Sequence, residues 1–105
     1  MTSCKLIISP AARNDLQKIY QYGSLNWGNS RATNYLDNLK EQLWSLTKHP
    51  KMGIKRDDLI PGVRSLAVDR HVVFYRSQKQ QLEVIRVLHG RQDPQLALTP
   101  QKPHY

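Results

Sequence analysis

The chain has 105 residues, and sixteen lysines and arginines against eight aspartates and glutamates give it a net charge of +8. This length and the single cysteine, Cys4, predict one domain, residues 1–105, without an internal disulfide. No apolar run approaches the length of about 20 residues that spans a bilayer, and the N-terminal apolar run is too short for a signal peptide, so we expect a cytoplasmic protein. The charge indicates an acidic protein partner, nucleic acid or a nucleic-acid-bound assembly.

The first half of the chain predicts a strand followed by a helical hairpin. Lys5–Ser9 is a short strand, and Pro10 opens the first helix with Ser9 as its N-cap. Apolar residues then recur at helical spacing until a glycine ends the pattern. The second helix, capped by Asn29 or Ser30, carries the clearest periodicity in the chain, formed by Ala32, Leu36, Leu39, Leu43 and Leu46. Two amphipathic helices with so short a connection must lie antiparallel, so residues 11–48 form a helical hairpin.

The second half predicts an antiparallel meander of three strands. Residues 51–62 contain two glycines, a proline and five charges, which is typical of a solvated loop. Val63–Val68 is a strand, and a tight turn leads into a β-hairpin with arms His71–Arg76 and Leu82–His89 joined by a polar five-residue loop, residues 77–81. Neither arm alternates cleanly, which indicates that both faces are covered. Residues 95–105 are expected to be one short ordered stretch followed by a mobile tail.

Cationic side chains interrupt the apolar arms of this hairpin. Arg76 and Arg86 lie within the arms, and the second arm closes with His89, Gly90 and Arg91. One interpretation is that each arginine lays its stem over apolar surface with its head in water, against a carboxylate where one is near. The other is that the arginines form a cationic face for a polyanion or an acidic partner.

The motifs of cofactor enzymes are absent from the sequence. No glycine-rich phosphate loop, metal-spaced Cys/His set or GxSxG motif occurs, and we predict no cofactor and no metal. His89 is the candidate for proton transfer, since a flexible glycine and a fixed cation lie beside it and can tune the pKa of an imidazole. The alternative is a structural role. Asp15 and Glu41 are expected on helix surfaces, and the helical aromatic residues are expected in the core or on a partner surface.

The order of these elements and four segments resemble the RelE/ParE superfamily of toxins from type II toxin–antitoxin pairs. The segments are ISPAARNDLQKIYQY, IPGVRSLAV, HVVFYR and LEVIRVLHGRQDP, and the similarity covers about residues 5–94. The run VIRVLHGRQDP is most similar to the ParE branch. The patterns and the resemblance predict an α+β fold in which an N-terminal strand is followed by an α-helical hairpin that packs on a mainly antiparallel four-stranded sheet.

The resemblance also separates two branches of the superfamily. RelE-like members cleave mRNA on the ribosome and carry an arginine three residues before the tyrosine that aligns with Tyr75, where this chain has Val72. Their second strand offers two basic groups at alternate positions, whereas Arg64 is followed here by the apolar Leu66. Only Arg91 matches a RelE-like arginine after the fourth strand. The resemblance therefore implies a ParE-like toxin that binds and poisons DNA gyrase without enzymatic chemistry.

A cognate acidic antitoxin, ParD-like or of another type, is the second partner that the resemblance implies. The residues expected to contact it are Tyr20, Trp27, Trp44, Arg64 and Arg86. The residues expected to contact gyrase are Arg64, Arg76, Arg86, His89 and Arg91. No residue is assigned a catalytic role in this interpretation.

Two other functions remain as alternatives. As a RelE-like ribosome-dependent mRNA endoribonuclease, the chain would use Arg91 with His89 or Tyr105 for catalysis. Some nuclease members end in a catalytic His-Tyr pair directly after the last strand, but here about fourteen residues separate the strand from His104 and Tyr105, so we interpret that match as coincidence. A stand-alone nucleic-acid-binding module fits the charge, so direct nucleic-acid binding stays open, but the apolar hairpin offers no exposed stacking platform.

Overall fold

In a computed structural model, residues 4–98 are described, and they form three helices and five strands. In chain order the elements are β1 (Lys5–Ile8), α1 (Pro10–Trp27), α2 (Asn29–Lys48), β2 (Ile54–Lys55), β3 (Val63–Val68), β4 (His71–Gln78), β5 (Gln81–His89) and α3 (Pro94–Leu98). The short ordered stretch predicted near the C-terminus is α3, and the rest of the predicted tail lies outside the described residues. None of the helices within residues 4–98 is both long and apolar enough to cross a membrane.

All five strands belong to one sheet in the order β1-β5-β4-β3-β2. β1 runs parallel to β5, and the other neighbouring pairs are antiparallel. The α+β class is thus confirmed, but the predicted count of four strands is wrong because Ile54 and Lys55 pair with Ser65 and Arg64. Two residues are too few to show strand alternation, so this short edge strand was hidden within the predicted loop.

The central hairpin is longer and its turn is tighter than the sequence predicts. β4 continues to Gln78 and β5 begins at Gln81, so the turn contains only Lys79 and Gln80. Both turn residues have positive φ, 48° and 63°, as a type I′ hairpin turn requires. The expected five-residue loop is wrong because Ser77 pairs with Leu82 and Gln78 with Gln81, so its polar residues continue the ladder of backbone hydrogen bonds.

The main core lies between the helical hairpin and one face of the sheet. The periodic leucines of α2 are buried there, as predicted, against a set of sheet residues that comprises Val68, Val73, Tyr75, Leu82, Val84 and Val87. Gly23 lets the two helices approach closely, since a Cβ at that position would lie 3.2 Å from the Cβ of Ala32. The helices therefore share one apolar surface and cover the sheet as a unit.

The chain changes direction at Ser9, before α1, and at Gly28, between α1 and α2. Ser9 is the N-cap of α1, as predicted, since its Oγ accepts from Ala12 N at 3.0 Å and donates to Ile85 O at 2.8 Å. Gly28, with φ of 92°, both ends α1 and caps α2. The prediction that Asn29 or Ser30 caps α2 is wrong, because this one-residue connection leaves no flanking side chain outside the helices to act as a cap.

A second apolar cluster covers the opposite face of the sheet. Val63, Phe74 and Leu88 are buried there against Leu98 of α3. Side chains from the segment before β3, Leu59 and Ile60, pack on the same cluster. The prediction that both faces of the hairpin are covered is therefore confirmed, and α3 together with the segment before β3 supplies the second cover.

Asp15 bridges α1 to the part of β5 that β1 does not reach. β1 pairs only with Gln81 to Val84, so the β5 edge beyond that point needs other partners. The Asp15 carboxylate accepts from Val87 N at 2.9 Å and receives the Arg86 guanidinium in a bidentate pair at 2.7 and 2.9 Å. Asp15 is only 8% exposed, so the expectation that it faces solvent on a helix surface is wrong. The carboxylate thus does the work of a neighbouring strand at this part of the β5 edge, where the chain after β1 has already begun α1.

Replacing Asp15 by Asn should lower the free energy of unfolding by about 3 kcal/mol, because it leaves a half-buried guanidinium without its counter-charge. Urea denaturation followed by circular dichroism measures the change. The matched control is Glu83→Gln, which removes the carboxylate from the more exposed ion pair with Arg76 and should cost less than about 1 kcal/mol. Equal effects of the two substitutions would contradict the structural role of Asp15.

Candidate functional site: a cationic cleft at the end of the central hairpin

A cleft of about 430 Å³ opens where β5 ends beside α1 and the turn between β3 and β4. We call it the cationic cleft, and its lining residues are Asp15, Lys18, Ile19, Tyr22, Trp27, Arg70, His71, Arg86, Val87, His89 and Gln92. Its single carboxylate, Asp15, is already bound to Arg86 and to the β5 backbone. The cleft therefore has a surplus of positive charge next to an apolar wall.

His71 is the buried imidazole of the cleft. Its Nδ1 lies 2.6 Å from the hydroxyl of Tyr35, and that hydroxyl accepts from Arg70 N at 3.2 Å. Burial raises the pKa of Tyr35, so the hydroxyl keeps its proton, and the tautomer of His71 decides which of the two groups donates. Burial also lowers the pKa of His71, and His89 and Arg70 act in the same direction. His71 is therefore mainly neutral near pH 7.

The backbone holds His89 in the tautomer with its ring proton on Nε2. Its Nδ1 accepts from Arg91 N at 3.1 Å, and its own N–H donates to the side-chain oxygen of Gln92 at 2.8 Å. The rings of His89 and His71 meet edge to face with centroids 5.4 Å apart. The His71–His89 backbone pair brings them together across the hairpin, and a register shift between Phe74 and Tyr75 makes these residues opposite neighbours.

An aromatic cluster forms the outer wall of the cleft. Trp27 contacts Tyr22 and Tyr35 with ring centroids 6.1 and 5.6 Å apart. The guanidinium of Arg70 stacks over Trp27 at 5.7 Å, a cation–π contact that fixes a positive charge at the rim. The wall thus combines apolar surface with a positioned cation.

The cleft is suited to binding an anion and poorly suited to proton abstraction. Nδ1 of His89 accepts a hydrogen bond, which leaves Nε2 as a donor, and Nδ1 of His71 is engaged by the Tyr35 hydroxyl. A general base needs a lone pair aimed at the reacting group, and His89 does not offer one at Nε2 in this arrangement. Within residues 4–98, no group of three or more His, Cys, Asp or Glu side chains is placed to hold a metal ion.

The residues predicted to contact gyrase lie in three places. Arg86 and His89 line the cationic cleft, and Arg91 is exposed beside it. Arg64 lies on β3, where its guanidinium donates to Gly53 O at 2.8 Å. Arg76 pairs with Glu83 at 2.8 Å near the far end of the hairpin. The arginines of the hairpin arms therefore have carboxylate partners, as the first of the two interpretations expects.

The aromatic residues predicted to contact an antitoxin are also dispersed. Tyr20, 39% exposed, lines a groove between α1 and α2 with Leu16 and Leu36. Trp27 belongs to the wall of the cationic cleft. Trp44, 59% exposed, lies further along α2. Tyr105, assigned to the nuclease alternative, lies outside the described residues.

Sequence reasoning missed Asp15 and His71, and each had a signal. Asp15 lies three residues after Ala12 and four before Ile19, within the apolar stripe of α1, and a carboxylate on a buried face needs a cationic partner. His71 opens the first arm of the hairpin, so a two-residue turn would have placed it near the end of the second arm. Lys18, Tyr35 and Arg70 had no comparable signal, because the turn at Arg70 and the helix rotation bring them to the cleft.

Because His71 is buried, we expect the folded chain to become less stable as the pH falls. Its pKa is lower in the folded chain than the ordinary value of 6.5, so the unfolded chain binds more protons and the stability that the neutral ring contributes is lost as the pH falls below about 6.5. The free energy of unfolding should drop by up to about 1.4 kcal/mol per pH unit in this window. Urea midpoints measured between about pH 7.5 and pH 5 test this.

The matched pair for this measurement is His71→Gln and His49→Gln, since His49 is exposed. The first substitution should flatten the pH dependence and the second should leave it unchanged. A pH dependence that persists in His71→Gln would assign the effect to another group.

Comparisons with known proteins agree on one family. The family model described as ParE toxin of type II toxin–antitoxin system, parDE, matches residues 6–94. Toxin ParE1 of Mycobacterium tuberculosis is 34% identical over 92 residues, 87% of this chain and 94% of that protein. Toxin ParE1 of Caulobacter vibrioides is 38% identical over 82 residues, 78% of this chain and 84% of that protein.

A solved structure gives the same fold. A chain of the structure described as chromosomal ParDE TA system from P. aeruginosa has a TM-score of 0.73 and 22% identity, and the match covers 83% of this chain and 96% of that one. The predicted superfamily and branch are thus confirmed by the family match and the curated relatives. The chain belongs to the ParE toxin family of type II toxin–antitoxin systems.

Proposed function

We propose that this toxin inhibits growth in the cytoplasm by binding DNA gyrase, without bond-making chemistry, and that a small acidic antitoxin neutralises it. The observation that carries the first part is the apolar cover on the sheet face opposite the helical hairpin. The resemblance implies that nuclease members carry basic side chains on the concave face of the sheet, whereas here the face opposite the helical hairpin is apolar and Leu98 of α3 packs on Phe74 and Leu88. This apolar cover favours a toxin that binds its target through surfaces other than this face of the sheet.

The cations on the sheet support the same proposal. RNA cleavage needs several positive groups around the scissile phosphate. Val72 and Leu66 occupy two positions where RelE-like members carry basic groups, and both are apolar here. Val72 packs on the second cluster, and Leu66 packs on the main core on the other face of the sheet. Arg86 is bound to Asp15 and Arg76 to Glu83. These arginines stabilise the sheet and are not grouped around a phosphate.

The endoribonuclease remains the second candidate because His89, Arg91 and His71 lie together at one end of the sheet. Two imidazoles beside cations can in principle exchange protons with RNA. Nδ1 of His89 accepts from the backbone of Arg91, and Nδ1 of His71 is engaged by the Tyr35 hydroxyl, which favours binding over proton abstraction.

The gyrase experiment uses the purified chain with gyrase and supercoiled plasmid, and in parallel with programmed ribosomes. We expect gyrase-linked linear plasmid to accumulate while the message stays intact. The variant Arg91→Glu should reduce linear plasmid about tenfold, because it reverses an exposed charge in the predicted contact surface. Lys51→Glu, at an exposed position before β2, is the matched charge reversal and should act like the wild type.

Cleavage of the message in the ribosomal A site with normal supercoiling would overturn the gyrase proposal in favour of the nuclease. Equal loss of activity in Arg91→Glu and Lys51→Glu would contradict the assignment of Arg91 while leaving the target unchanged.

The antitoxin proposal rests on the charge of +8 and on exposed apolar side chains along the helical hairpin. The groove that Tyr20 lines between α1 and α2 runs beside Arg13 and Lys40. An amphipathic acidic helix fits such a surface, because it buries apolar contacts in the groove and meets cations at its edges. Trp44 extends the exposed aromatic surface along α2.

Affinity purification of this chain from cells that carry the complete operon should recover a small acidic protein. Tyr20→Ala should weaken recovery about tenfold, because it removes an aromatic anchor from the groove. Ile54→Ala, which truncates an exposed apolar side chain on β2, is the control and should retain the partner. Repeated recovery of no acidic protein by the wild-type chain would contradict the antitoxin proposal.

A further inference from the structure

The lining of the cationic cleft has more hydrogen-bond donors than acceptors. Nε2 of His89 carries the ring proton, because Nδ1 accepts from the Arg91 backbone, and Nε2 of His71 carries it in the tautomer in which Tyr35 donates to Nδ1. Neither Nε2 has a hydrogen-bond partner within residues 4–98. The one carboxylate of the lining, Asp15, already accepts from Arg86 and from Val87 N. A group that accepts hydrogen bonds and carries negative charge complements such a lining.

The shape of the cleft limits which anions can reach its recessed donors. His71 is 8% exposed and lies at the bottom of the cleft, while the Ile19, Tyr22 and Trp27 side chains form an apolar wall. A volume of about 430 Å³ holds one or two amino-acid side chains. The phosphates of a nucleic acid lie on its backbone and cannot enter a recess of this kind without the sugar and base beside them. A carboxylate on a flexible aliphatic stem reaches the recessed donors and lays its stem on the apolar wall.

We propose that the cationic cleft is an oxyanion site for the carboxylate of an acidic side chain on the antitoxin. This inference rests on the proposed antitoxin partner and names a site for it separate from the groove between α1 and α2. The carboxylate accepts from Nε2 of His71 and of His89 and lies near the charges of Lys18 and Arg70. Apolar residues beside it in the antitoxin contact Tyr22 and Trp27.

Occupancy of the cleft also explains how neutralisation follows from binding. His89 lines the cleft and Arg91 follows it, and both belong to the surface proposed to contact gyrase. An antitoxin segment seated in the cleft covers both residues. Target and antitoxin then compete for the same end of the sheet.

Nuclear magnetic resonance of the isotope-labelled full chain tests the site without the antitoxin. The probe is N-acetylglutamate α-amide, which has one carboxylate, and the matched control ligand is the neutral N-acetylglutamine α-amide. The glutamate probe should shift the ring signals of His71 and His89 and the indole signal of Trp27 saturably, with a dissociation constant on the order of millimolar. The glutamine compound should give no saturable shift.

Variants link the signal to the cleft. Lys18→Gln, at an exposed position of α1, should weaken the probe about tenfold by removing one charge-assisted contact. Lys51→Gln, away from the cleft, should bind like the wild type. His71→Gln should abolish saturation, and the Lys18 variant keeps the test decisive if this buried substitution prevents folding.

Three results would overturn the oxyanion site. They are equal binding of the glutamine compound, no effect of Lys18→Gln, or tighter binding of a single-stranded thymidine tetranucleotide than of the glutamate probe, which would assign the cleft to nucleic acid.

The same variants separate this inference from the proposed function. An antitoxin that binds Lys18→Gln with wild-type affinity overturns the cleft as its site and leaves the toxin–antitoxin proposal intact. A wild-type chain that binds the glutamate probe but recovers no antitoxin supports the oxyanion site and overturns the proposed partner.

Discussion

The buried carboxylate of Asp15 decides how the helical hairpin is mounted on the sheet. β1 is too short to cover the edge of β5, and Asp15 closes the remaining edge through Val87 N while neutralising Arg86. This contact fixes the rotation of α1. Residues three, four and seven positions later, Lys18, Ile19 and Tyr22, consequently face the same direction and line the cationic cleft. One ion pair thus supports both the sheet edge and the wall of the candidate site.

The cleft depends equally on a small irregularity in the hairpin. The register shift between Phe74 and Tyr75 inserts one extra residue on β5, so His71 pairs with His89 at the end of the ladder. Bulges redirect side chains, and here the consequence is a pair of neighbouring imidazoles. Tyr35 from α2 then forms a hydrogen bond with Nδ1 of His71 from outside the sheet. α2, the bulged strand β5 and the turn before β4 thus each help to position the imidazoles of His71 and His89.

Local patterns predicted the parts of the fold that local physics determines. The leucine stripe of α2, the Ser9 cap and the two covered faces of the hairpin all follow from residues close in sequence, and all are present. The two-residue turn and β2 were missed because polar strand ends and two-residue strands leave no hydrophobic period to detect. The cleft was missed because its groups come from separate segments, and of its lining residues only Trp27, Arg86 and His89 were selected beforehand. A buried Asp15 within an apolar stripe was the available clue.

Exposed charges and recessed hydrogen-bond donors act on different steps of binding an acidic partner. Arg56, Arg76 and Arg86 each have a carboxylate partner within the described residues, so much of the cationic surface comes from other, exposed lysines and arginines. Exposed charges accelerate encounter with an acidic chain, and salt screens them. Recessed donors such as Nε2 of His71 are shielded from water and act mainly on dissociation. In the proposed oxyanion site, the net charge of +8 would draw an acidic partner and the few donors that the hairpin end and α1 bring together would retain it.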